Sequence, residues 1–293
     1  MKPKILIQFD PDAHASTFDS IVAIDSGVDQ LLQRANVTER DIEGLVHGAM
    51  FTRGVKDLCR TALFFGGSNV ENTEALVAAA KKCFFGPMRV SIMSDPNGSN
   101  TTAAAAVLSA EKHGSLSEKK IVILAGTGPV GQRIAKIIAS AASVVSASIF
   151  VCSRKLEKAT SVVDDLSSSM DVPTGIELQP AQAGSVDEAA ELTRDADVVF
   201  AAGAAGICLM DDRWQQNDRQ QILIDINAVP PSGIAGVEVM DTGEQRGNSV
   251  CYGAIGVGGL KMKIHKLALQ KLFETNDLVL DTETIYQLGT SLA

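Results

Sequence analysis

Short runs of apolar and β-branched residues alternate along the chain with longer segments of helical periodicity. In the first half, the predicted strands are 4–9, 61–65 and 89–93, and the predicted helices are 17–24, 71–84 and 101–112. Such alternation is typical of a parallel sheet whose strands are joined by crossover helices.

The second half continues this alternation and ends in helical periodicity. Its predicted strands are 121–125, 148–152, 197–201 and 221–226, and its predicted helices are 132–142, 156–170, 260–273 and 278–288. The last two segments are predicted from apolar spacing such as that of Leu260, Ile264 and Leu267. The four strands would form one doubly wound sheet.

A polar stretch at residues 113–120 separates the two halves, and we place a domain boundary there. We predict a two-domain α/β protein, with an N-terminal α/β substrate domain at 1–114 and a doubly wound Rossmann dinucleotide-binding domain at 115–274. A chain of 293 residues is long enough for two domains. The sequence leaves open whether residues 275–293 pack back on the first domain.

Composition narrows the class of protein. Hydrophobic residues make up 45% of the chain and charged residues 21%, as in an ordinary soluble protein, and the formal net charge is −9. This negative charge disfavours nucleic acid and anionic membrane as partners. The opening apolar run is too short for a signal peptide, and no run approaches a membrane span of about 18 residues. We expect a cytoplasmic protein.

The five cysteines are scattered and lack CxxC spacing; they are Cys59, Cys83, Cys152, Cys208 and Cys251. Most of them lie in apolar runs, which predicts buried free thiols in a reducing compartment. No metal site is predicted.

The clearest chemical motif is a GxGxxG run between a predicted strand and a predicted helix. It consists of Gly126, Thr127, Gly128, Pro129, Val130 and Gly131. In that context glycines permit a tight turn, the approach of backbone to a pyrophosphate, and close packing of helix on strand. The motif alone is weak, because glycine turns also join strands to helices for steric reasons. Its context favours a dinucleotide site.

The next predicted strand ends where this fold places the residue that meets the adenosine ribose. The position holds Ser153, Arg154 and Lys155 and no acid. An acid would repel a ribose 2′-phosphate, whereas a hydroxyl and two cations can hold one. NADP is therefore the predicted cofactor. NAD stays possible, since Ser153 can serve either ribose and the cations can be solvated residues of the next helix.

Three further polar or glycine-rich loops follow predicted strands. Residues 95–102 contain Asp95, Asn97, Asn100 and Thr102, which suit a polar heterocycle or a phosphate but are also what helix caps require. Ala202 and Gly203 leave room for a flat ring or a ribose, and Asn227 can hold a nicotinamide carboxamide. Each of these last two loops can equally be a plain strand terminator.

A fourth loop, 253–263, reads as a glycine-rich entry into a helix, with Lys261 in the first turn. A lysine near a helix N-terminus is disfavoured by the macrodipole, which suggests a catalytic or substrate-anchoring role. The alternative is a solvated lysine on an amphipathic helix. The four histidines, His14, His47, His113 and His265, are interpreted as surface or capping residues.

Several motifs in this order resemble the NADP-dependent methylenetetrahydromethanopterin dehydrogenases of methylotrophic bacteria. They are Ile7-Gln8-Phe9-Asp10, Phe51-Thr52-Arg53-Gly54, Phe84-Phe85-Gly86-Pro87, Asn97-Gly98-Ser99-Asn100-Thr101-Thr102, Ala125-Gly126-Thr127-Gly128-Pro129-Val130-Gly131 and Gly258-Gly259-Leu260-Lys261. The likeness covers nearly the whole chain and is more specific than GxGxxG. The Ser153 to Lys155 element is also similar to that family.

This resemblance implies oxidation of methylene-tetrahydromethanopterin to the methenyl form, with hydride transfer to NADP, in one-carbon metabolism. It implies a pterin bound in the cleft between an α/β domain and a Rossmann domain, and a homo-oligomer, either a trimer or a hexamer. Lys261 would be the catalytic lysine, with Asp10 or Asp95 nearby to balance its charge. Gln8, Arg53 and Lys56 are further candidates for substrate contact.

Other functions remain open at this point. A bifunctional methylenetetrahydrofolate dehydrogenase shares the two-domain layout, but its tyrosine-and-lysine element is not found here. Shikimate-dehydrogenase-like chemistry is not favoured by the motifs. Some members of the resembling family also accept methylene-tetrahydrofolate, and a non-catalytic NADP- or pterin-binding protein could keep the same pockets.

Overall fold

A computed structural model describes residues 2–293, which divide into two compact units. The first unit comprises residues 2–101 and Met262–Leu288, and the second comprises Thr102–Lys261 and Gly289–Ala293. The chain therefore passes from the first unit into the second and returns. None of the helices in residues 2–293 is long and apolar enough to cross a membrane.

The elements that precede the second sheet alternate as the apolar pattern predicts. They are β1 (Ile5–Phe9), α1 (Thr17–Asp25), β2 (Gln30–Arg34), α2 (Glu39–Phe51), β3 (Thr61–Phe65), α3 (Val70–Lys82), β4 (Ser91–Ser94) and α4 (Ser99–Glu111). The six elements predicted here are confirmed within a few residues, whereas β2 and α2 lay in a region where no element was predicted.

The rest of the chain supplies a second sheet, a long helix and a short C-terminal strand and helix. The elements are β5 (Lys119–Leu124), α5 (Pro129–Ser140), β6 (Ala147–Ser153), α6 (Leu156–Ser169), β7 (Ile176–Gln182), α7 (Val186–Thr193), β8 (Val198–Ala201), β9 (Ile222–Asp225), β10 (Thr242–Arg246), β11 (Ser249–Tyr252), α8 (Ala254–Lys271), β12 (Val279–Leu280) and α9 (Thr282–Gly289).

The sheet of the first unit has the order β12-β4-β3-β1-β2, and all of its strands are parallel. The order reverses between β1 and β3, so their carboxyl ends form the switch point where open α/β sheets bind ligands. Phe9 and Phe65, at the ends of these two strands, pack edge to face with centroids 5.2 Å apart in the apolar core.

The sheet of the second unit has the order β10-β11-β9-β8-β5-β6-β7. From β7 to β11 it follows the strand order of a dinucleotide-binding Rossmann fold, and β10 adds an antiparallel edge. Its switch point lies between the adjacent strands β5 and β8. The predicted fold class, a two-domain α/β protein with a Rossmann domain, is confirmed.

The prediction of one helix over 278–288 is wrong at its start. Val279 and Leu280 form β12, which pairs with Ile92 and Met93 of β4, and α9 begins at Thr282. Asn276 donates its side-chain amide to the carbonyls of Pro87 and Arg89 at 3.0 Å each, which fixes this pairing. Residues 275–288 belong to the first unit.

The division between the units falls inside α4, after Thr101, and inside α8, after Lys261. Our sequence boundary lies in the polar stretch 113–120, which follows α4. Where a continuous helix passes from one unit into the other, its amino-acid composition does not change. The change in composition comes only at the end of the helix, which is where we placed the boundary.

Candidate functional site

The glycine turn after β5 is a tight backbone bend that leads into α5. Ala125 adopts a left-handed conformation with φ of 52°, and Gly128 is the N-cap of α5. Pro129 occupies the first helical position, where its missing N–H costs nothing. Gln132 donates its side-chain amide to the carbonyl of Thr127 at 2.8 Å and so braces the turn.

The glycines of this turn are required for different reasons. A Cβ on Gly131 would lie 2.5 Å from the Cα of Gly126, and a Cβ on Gly126 would lie 2.7 Å from the carbonyl oxygen of Ile123. A Cβ on Gly128 would meet only the carbonyl oxygens of Ala125 and Ala202, at 3.5 and 3.7 Å, which is ordinary contact. Packing therefore explains Gly126 and Gly131 but not Gly128.

Gly128 therefore presents bare backbone at the start of α5 for a reason other than packing. The first turn of α5 also leaves the N–H groups of Val130 and Gly131 without partners in the helix, and the helix dipole favours an anion there. This turn lies at the switch point of the second sheet. The residues present thus fit the pyrophosphate of a dinucleotide.

Ser153 ends β6 and is 7% exposed, while Arg154 and Lys155 after it are exposed. Ala183 donates its N–H to the carbonyl of Ser153 at 2.8 Å, which fixes the backbone where the strand ends. Within residues 2–293, neither Arg154 nor Lys155 forms an ion pair, so both cations are available to an anionic ligand.

The loops after β8 and β9 are built around Asp225 and Asn227. Asp225 accepts the N–H groups of Asn227 and Ile234 at 2.9 and 3.0 Å. Burial raises the pKa of the Asp225 carboxyl above its usual value, although these backbone hydrogen bonds oppose the shift. Asn227 uses its side chain within the same loop, donating to the carbonyl of Pro231 and accepting from Val229 at 3.0 Å each.

The position of Gly203 has a packing explanation, because a Cβ there would lie 2.8 Å from Leu209. Ala202, which precedes it, is partly buried and its N–H donates to the carbonyl of Leu124 at 3.0 Å. Ala202 and the glycine turn therefore follow neighbouring strands at the same edge of the second sheet.

In the first unit, the loop after β4 is held by internal hydrogen bonds. Asp95 is fully buried and accepts the N–H groups of Asn100 and Thr101 at 2.9 and 3.1 Å, and the hydroxyl of Thr101 at 2.7 Å. Asn100 accepts the hydroxyl of Thr282 at 2.8 Å. Asn97 adopts a left-handed conformation with φ of 52°. Thr102, the first residue of the second unit, is partly buried on the first turn of α4. Capping thus accounts for Asp95.

Gln8 and Asp10 lie at the carboxyl end of β1 and are each 1% exposed. Asp10 accepts the N–H groups of Asp12 and Ser16 at 3.0 and 3.1 Å. Gln8 accepts the hydroxyl of Ser20 at 2.9 Å. The structure therefore brings Gln8 and Asp10 to the same sheet edge as the loop after β4.

Arg53 and Lys56 are not brought together with these residues. Arg53 donates to the carbonyls of Pro3 and Arg60, which immediately precede β1 and β3, at 3.1 and 2.7 Å. Lys56 is exposed in the short 3-10 helix just before β3. Both residues lie at the amino edge of the first sheet, opposite to Asp10 and Asp95.

Helix α8 begins at Ala254, earlier than the glycine-rich sequence predicts. A Cβ on Gly256 would lie 1.8 Å from the carbonyl oxygen of Asp241, so this glycine allows the helix to pack closely and does not loosen it. Lys261 consequently lies in the third turn of α8, and the argument from an unfavourable dipole at the first turn is wrong. The Lys261 side chain is partly buried.

His265 is fully buried, so its interpretation as a surface or capping residue is wrong. Its ring stacks on Phe64 with centroids 5.8 Å apart, and its Nδ1 lies 3.7 Å from Oδ2 of Asp95. Its spacing from Leu260 and Ile264 on the apolar face of a helix was the sequence pattern that could have revealed this. His113, in contrast, lies 2.9 Å from the Tyr252 hydroxyl.

Two loop residues at the switch point of the first sheet went unnoticed in the sequence. Asp12 accepts both the N–H and the hydroxyl of Ser68, at 2.8 and 2.9 Å, and so ties the loop after β1 to the loop after β3. Gly67 has a φ of 110°, and its carbonyl accepts the N–H of Asn97 at 2.8 Å. Their separation along the chain hides these contacts.

The five cysteines are free thiols, as predicted, and two of them are buried. Burial raises the pKa of Cys152 and that of Cys251 to about 12. Cys59, Cys83 and Cys208 are only partly buried, so the prediction of buried thiols holds for part of the set. Among residues 2–293, no group of three or more His, Cys, Asp or Glu side chains is arranged to hold a metal ion.

Comparison with known families gives matches to both halves of the chain. Residues 17–97 match the model described as methylene-tetrahydromethanopterin dehydrogenase, N-terminal. Residues 120–229 match the model described as NADP oxidoreductase coenzyme F420-dependent. The two matches fall on the first sheet and on the dinucleotide-binding part of the second.

Two curated proteins of Methylorubrum extorquens are similar along the whole chain. One, named bifunctional protein MdtA, is 42% identical over 296 residues, covering 100% of both chains. The other, named NAD(P)-dependent methylenetetrahydromethanopterin dehydrogenase, is 33% identical over 314 residues, again covering 100% of both. Among solved structures, shikimate 5-dehydrogenase from Listeria monocytogenes superposes with a TM-score of 0.54 at 13% identity, covering 99% of this chain and 96% of that one. At that identity the likeness shows the fold alone.

Proposed function

The chain belongs to the methylenetetrahydromethanopterin dehydrogenase family, and on that premise we propose that it transfers a hydride from methylene-tetrahydromethanopterin to NADP. The products are methenyl-tetrahydromethanopterin and NADPH, as in the oxidation of formaldehyde-derived one-carbon units. The observation that carries this proposal is the full-length identity of 42% and 33% to the two relatives, together with a glycine turn at the N-terminus of α5.

The dinucleotide would be held by residues of the second unit. The turn from Gly126 to Gly131 offers backbone N–H groups to the pyrophosphate, and the bare backbone at Gly128 lets it approach. Ser153, Arg154 and Lys155 would bind the 2′-phosphate, which favours NADP over NAD. Ala202, Gly203 and Asn227 would border the nicotinamide end, Asn227 through its ordered loop.

The pterin would be held by the substrate-binding candidates of the sequence and by Lys261. Gln8, Asp10, Asp95, Asn97, Asn100 and Thr102 are the candidates at the carboxyl edge of the first sheet. Because Asp95 hydrogen-bonds within its loop and Asn100 accepts the hydroxyl of Thr282 in α9, these two residues would act by holding the loop in shape. Asn97 and Thr102 remain candidates for direct contact, while Arg53 and Lys56 have no support from their position.

The proposed reaction depends on the orientation of the pterin and the nicotinamide more than on proton transfer. Loss of hydride from the methylene carbon leaves a cation shared by its two flanking nitrogens, so no general acid or base is needed at that step. When bound, the nicotinamide ring supplies the hydride acceptor. We assign Lys261 to the positioning of the pterin, because a protonated lysine beside the forming cation would oppose the reaction.

The direct test is an assay of the purified protein with methylene-tetrahydromethanopterin and either NADP or NAD. Absorbance of the reduced nicotinamide and of the methenyl product should rise together in equal amounts with NADP. Binding of NADP without any methenyl product would instead support the alternative of a non-catalytic NADP- or pterin-binding protein. The assay with NAD measures the cofactor preference, because the second relative is named NAD(P)-dependent without a preference for either cofactor.

A second substrate is a further candidate, because the 42% identical relative is called bifunctional. Methylene-tetrahydrofolate carries the same reacting carbon between two nitrogens, so the same residues could orient it. The same assay with methylene-tetrahydrofolate measures this activity. The two values of kcat/KM then decide whether the chain is primarily a methylenetetrahydrofolate dehydrogenase.

We propose further that the protein is a cytoplasmic homo-oligomer, a trimer or a hexamer. Free thiols at all five cysteines support a reducing compartment. Large apolar side chains of Phe18, Ile21 and Ile24 are each more than half exposed on α1, a patch of the kind that subunit contacts cover. Light scattering coupled to gel filtration measures the number of subunits directly.

A further inference from the structure

His265 is a fully buried titratable side chain for which the proposed chemistry has no use. It lies on the part of α8 that belongs to the first unit. Its ring is stacked on Phe64 with an interplanar angle of 20°, and Phe18 lies on another side with a centroid distance of 6.5 Å. An aliphatic side chain could fill apolar space of this kind. The presence of a histidine therefore suggests a polar neighbour for its ring nitrogens.

That neighbour is the buried carboxylate of Asp95. Nδ1 of His265 lies 3.7 Å from Oδ2 of Asp95, and neither side chain is accessible to solvent. The Asp95 carboxylate also accepts hydrogen bonds from the N–H groups of Asn100 and Thr101 and from the hydroxyl of Thr101. His265 therefore connects α8 to the capped loop at residues 95–101, which contains the candidates Asn97 and Asn100.

Lys261 precedes His265 by four residues on the same continuous helix. Side chains at this spacing lie on one helix face, so a contact that fixes His265 also fixes the direction in which Lys261 projects. We propose that His265 is a positioning residue, which acts through Lys261 by seating α8 on Asp95 and Phe64. This inference rests on the proposed dehydrogenase function and on the role assigned to Lys261.

The test compares His265→Phe and His265→Asn with the wild-type protein and with Lys266→Ala as a matched control. Phenylalanine keeps the ring against Phe64 and removes the nitrogens, whereas asparagine keeps a polar group toward Asp95. Lys266 is the next residue on α8, and its ammonium pairs with Asp25 at 3.1 Å. Folding is checked by thermal melting, and kcat is referred to the number of NADP sites found by titration.

We expect His265→Phe to lower kcat/KM by roughly tenfold or more, with the dissociation constant of NADP unchanged. His265→Asn should recover part of that loss, and Lys266→Ala should match the wild type. Adding His265→Phe to Lys261→Ala should change the calorimetric affinity for the pterin by less than a factor of about two, because the residue it acts through is gone.

A folded His265→Phe protein with wild-type kcat/KM would overturn the inference. So would a loss of pterin affinity on His265→Phe that is as large in the Lys261→Ala background as in the wild type. If His265→Phe does not fold, His265→Asn carries the same comparison. If the wild-type protein itself produces no methenyl product, the proposed function fails, and that outcome is distinct from failure of the role of His265.

Discussion

A methyl group on Gly131 would lie 2.5 Å from the Cα of Gly126, whereas a methyl group on Gly128 would come no closer than 3.5 Å to any protein atom beyond its chain neighbours. Packing within the fold thus explains Gly131 but not Gly128, and we propose that Gly128 serves the ligand. Gly131→Ala should lower both the melting temperature and NADP affinity. Gly128→Ala should keep the melting temperature and lower NADP affinity by roughly tenfold, about 1.4 kcal/mol.

Thermal melting and fluorescence titration with NADP measure these two effects. Gly258→Ala is a useful control, because a Cβ on this helical glycine would meet no atom within 4 Å. If Gly128→Ala binds NADP as the wild type does, the pyrophosphate does not approach the backbone at Gly128.

Lys261→Ala should reduce turnover by roughly a hundredfold or more while leaving the dissociation constant of NADP nearly unchanged. The reason is that Lys261 is assigned to the pterin and the glycine turn to the dinucleotide. Steady-state kinetics and NADP titration measure the two quantities separately. Lys263→Ala, which removes an exposed lysine of the same helix, should retain activity. Normal turnover in Lys261→Ala would remove this residue from the site.

Arg154→Ala should weaken NADP binding by about 1.5–3 kcal/mol, since a charge-assisted hydrogen bond to the 2′-phosphate is lost. NAD binding should stay the same, because NAD has no such phosphate. Comparison of KM for the two cofactors gives the result, and Lys158→Ala on α6 is the matched control. An equal change in both values of KM would mean that Arg154 does not contact the 2′-phosphate.

Arg246→Ala should destabilise the hairpin of β10 and β11 by about 1–3 kcal/mol at neutral pH, because it leaves Asp241 buried without its partner. Burial raises the pKa of Asp241, but hydrogen bonds from Arg246 and the N–H of Glu238 outweigh it and hold the pKa below its usual value. A carboxyl with a lowered folded-state pKa contributes stability above the unfolded pKa, near 3.8, and loses it as the pH falls through the folded pKa.

The melting difference between wild type and Arg246→Ala should therefore shrink below about pH 4. Arg213→Ala is the control, because Arg213 pairs with Asp187 and Asp211 at the surface and such pairs contribute about 1 kcal/mol or less each. A melting difference that is independent of pH would show that packing of the Arg246 stem, and not its charge, stabilises the hairpin.

Alkylation by iodoacetamide at about pH 8 should spare Cys152 and Cys251 in the native protein, because the thiolate is the reactive form and both values of pKa are raised to about 12. Cys59 and Cys208, which are partly exposed, should react first. Peptide mass spectrometry before and after unfolding in urea resolves the sites. Equal labelling of all five thiols in the native state would contradict the burial of Cys152 and Cys251.

Apolar periodicity in the sequence predicted the fold class and most elements of both sheets, because buried parallel strands leave continuous apolar runs. It missed β2, β7, β10 and β11. Of these, β2 is an edge strand whose residues Gln30 to Arg34 are mostly exposed and carry little apolar pattern. The sequence prediction also took the glycines before Lys261 for a loop, although they lie within α8; close packing explains Gly256 but not Gly258 or Gly259.

The candidate site was predicted best where chemistry is local in the chain. The glycine turn and Ser153 to Lys155 lie where their motifs place them, at strand ends of the second sheet. His265 was misread because its partners Phe64 and Asp95 are more than a hundred residues earlier, so only the folded chain shows that it is buried. Arg53 stays a prediction that its position does not favour, because a motif gives no indication of which edge of the sheet it occupies.

The return of the chain to the first unit through β12 and α9 has a consequence for the order of synthesis. During translation β4 leaves the ribosome long before Val279 and Leu280, so its outer edge has no neighbouring strand while all the strands of the second sheet are being made. Asn100 likewise has no hydroxyl of Thr282 to accept until α9 is synthesised. The first sheet is therefore completed after the second, although most of its strands are synthesised before it.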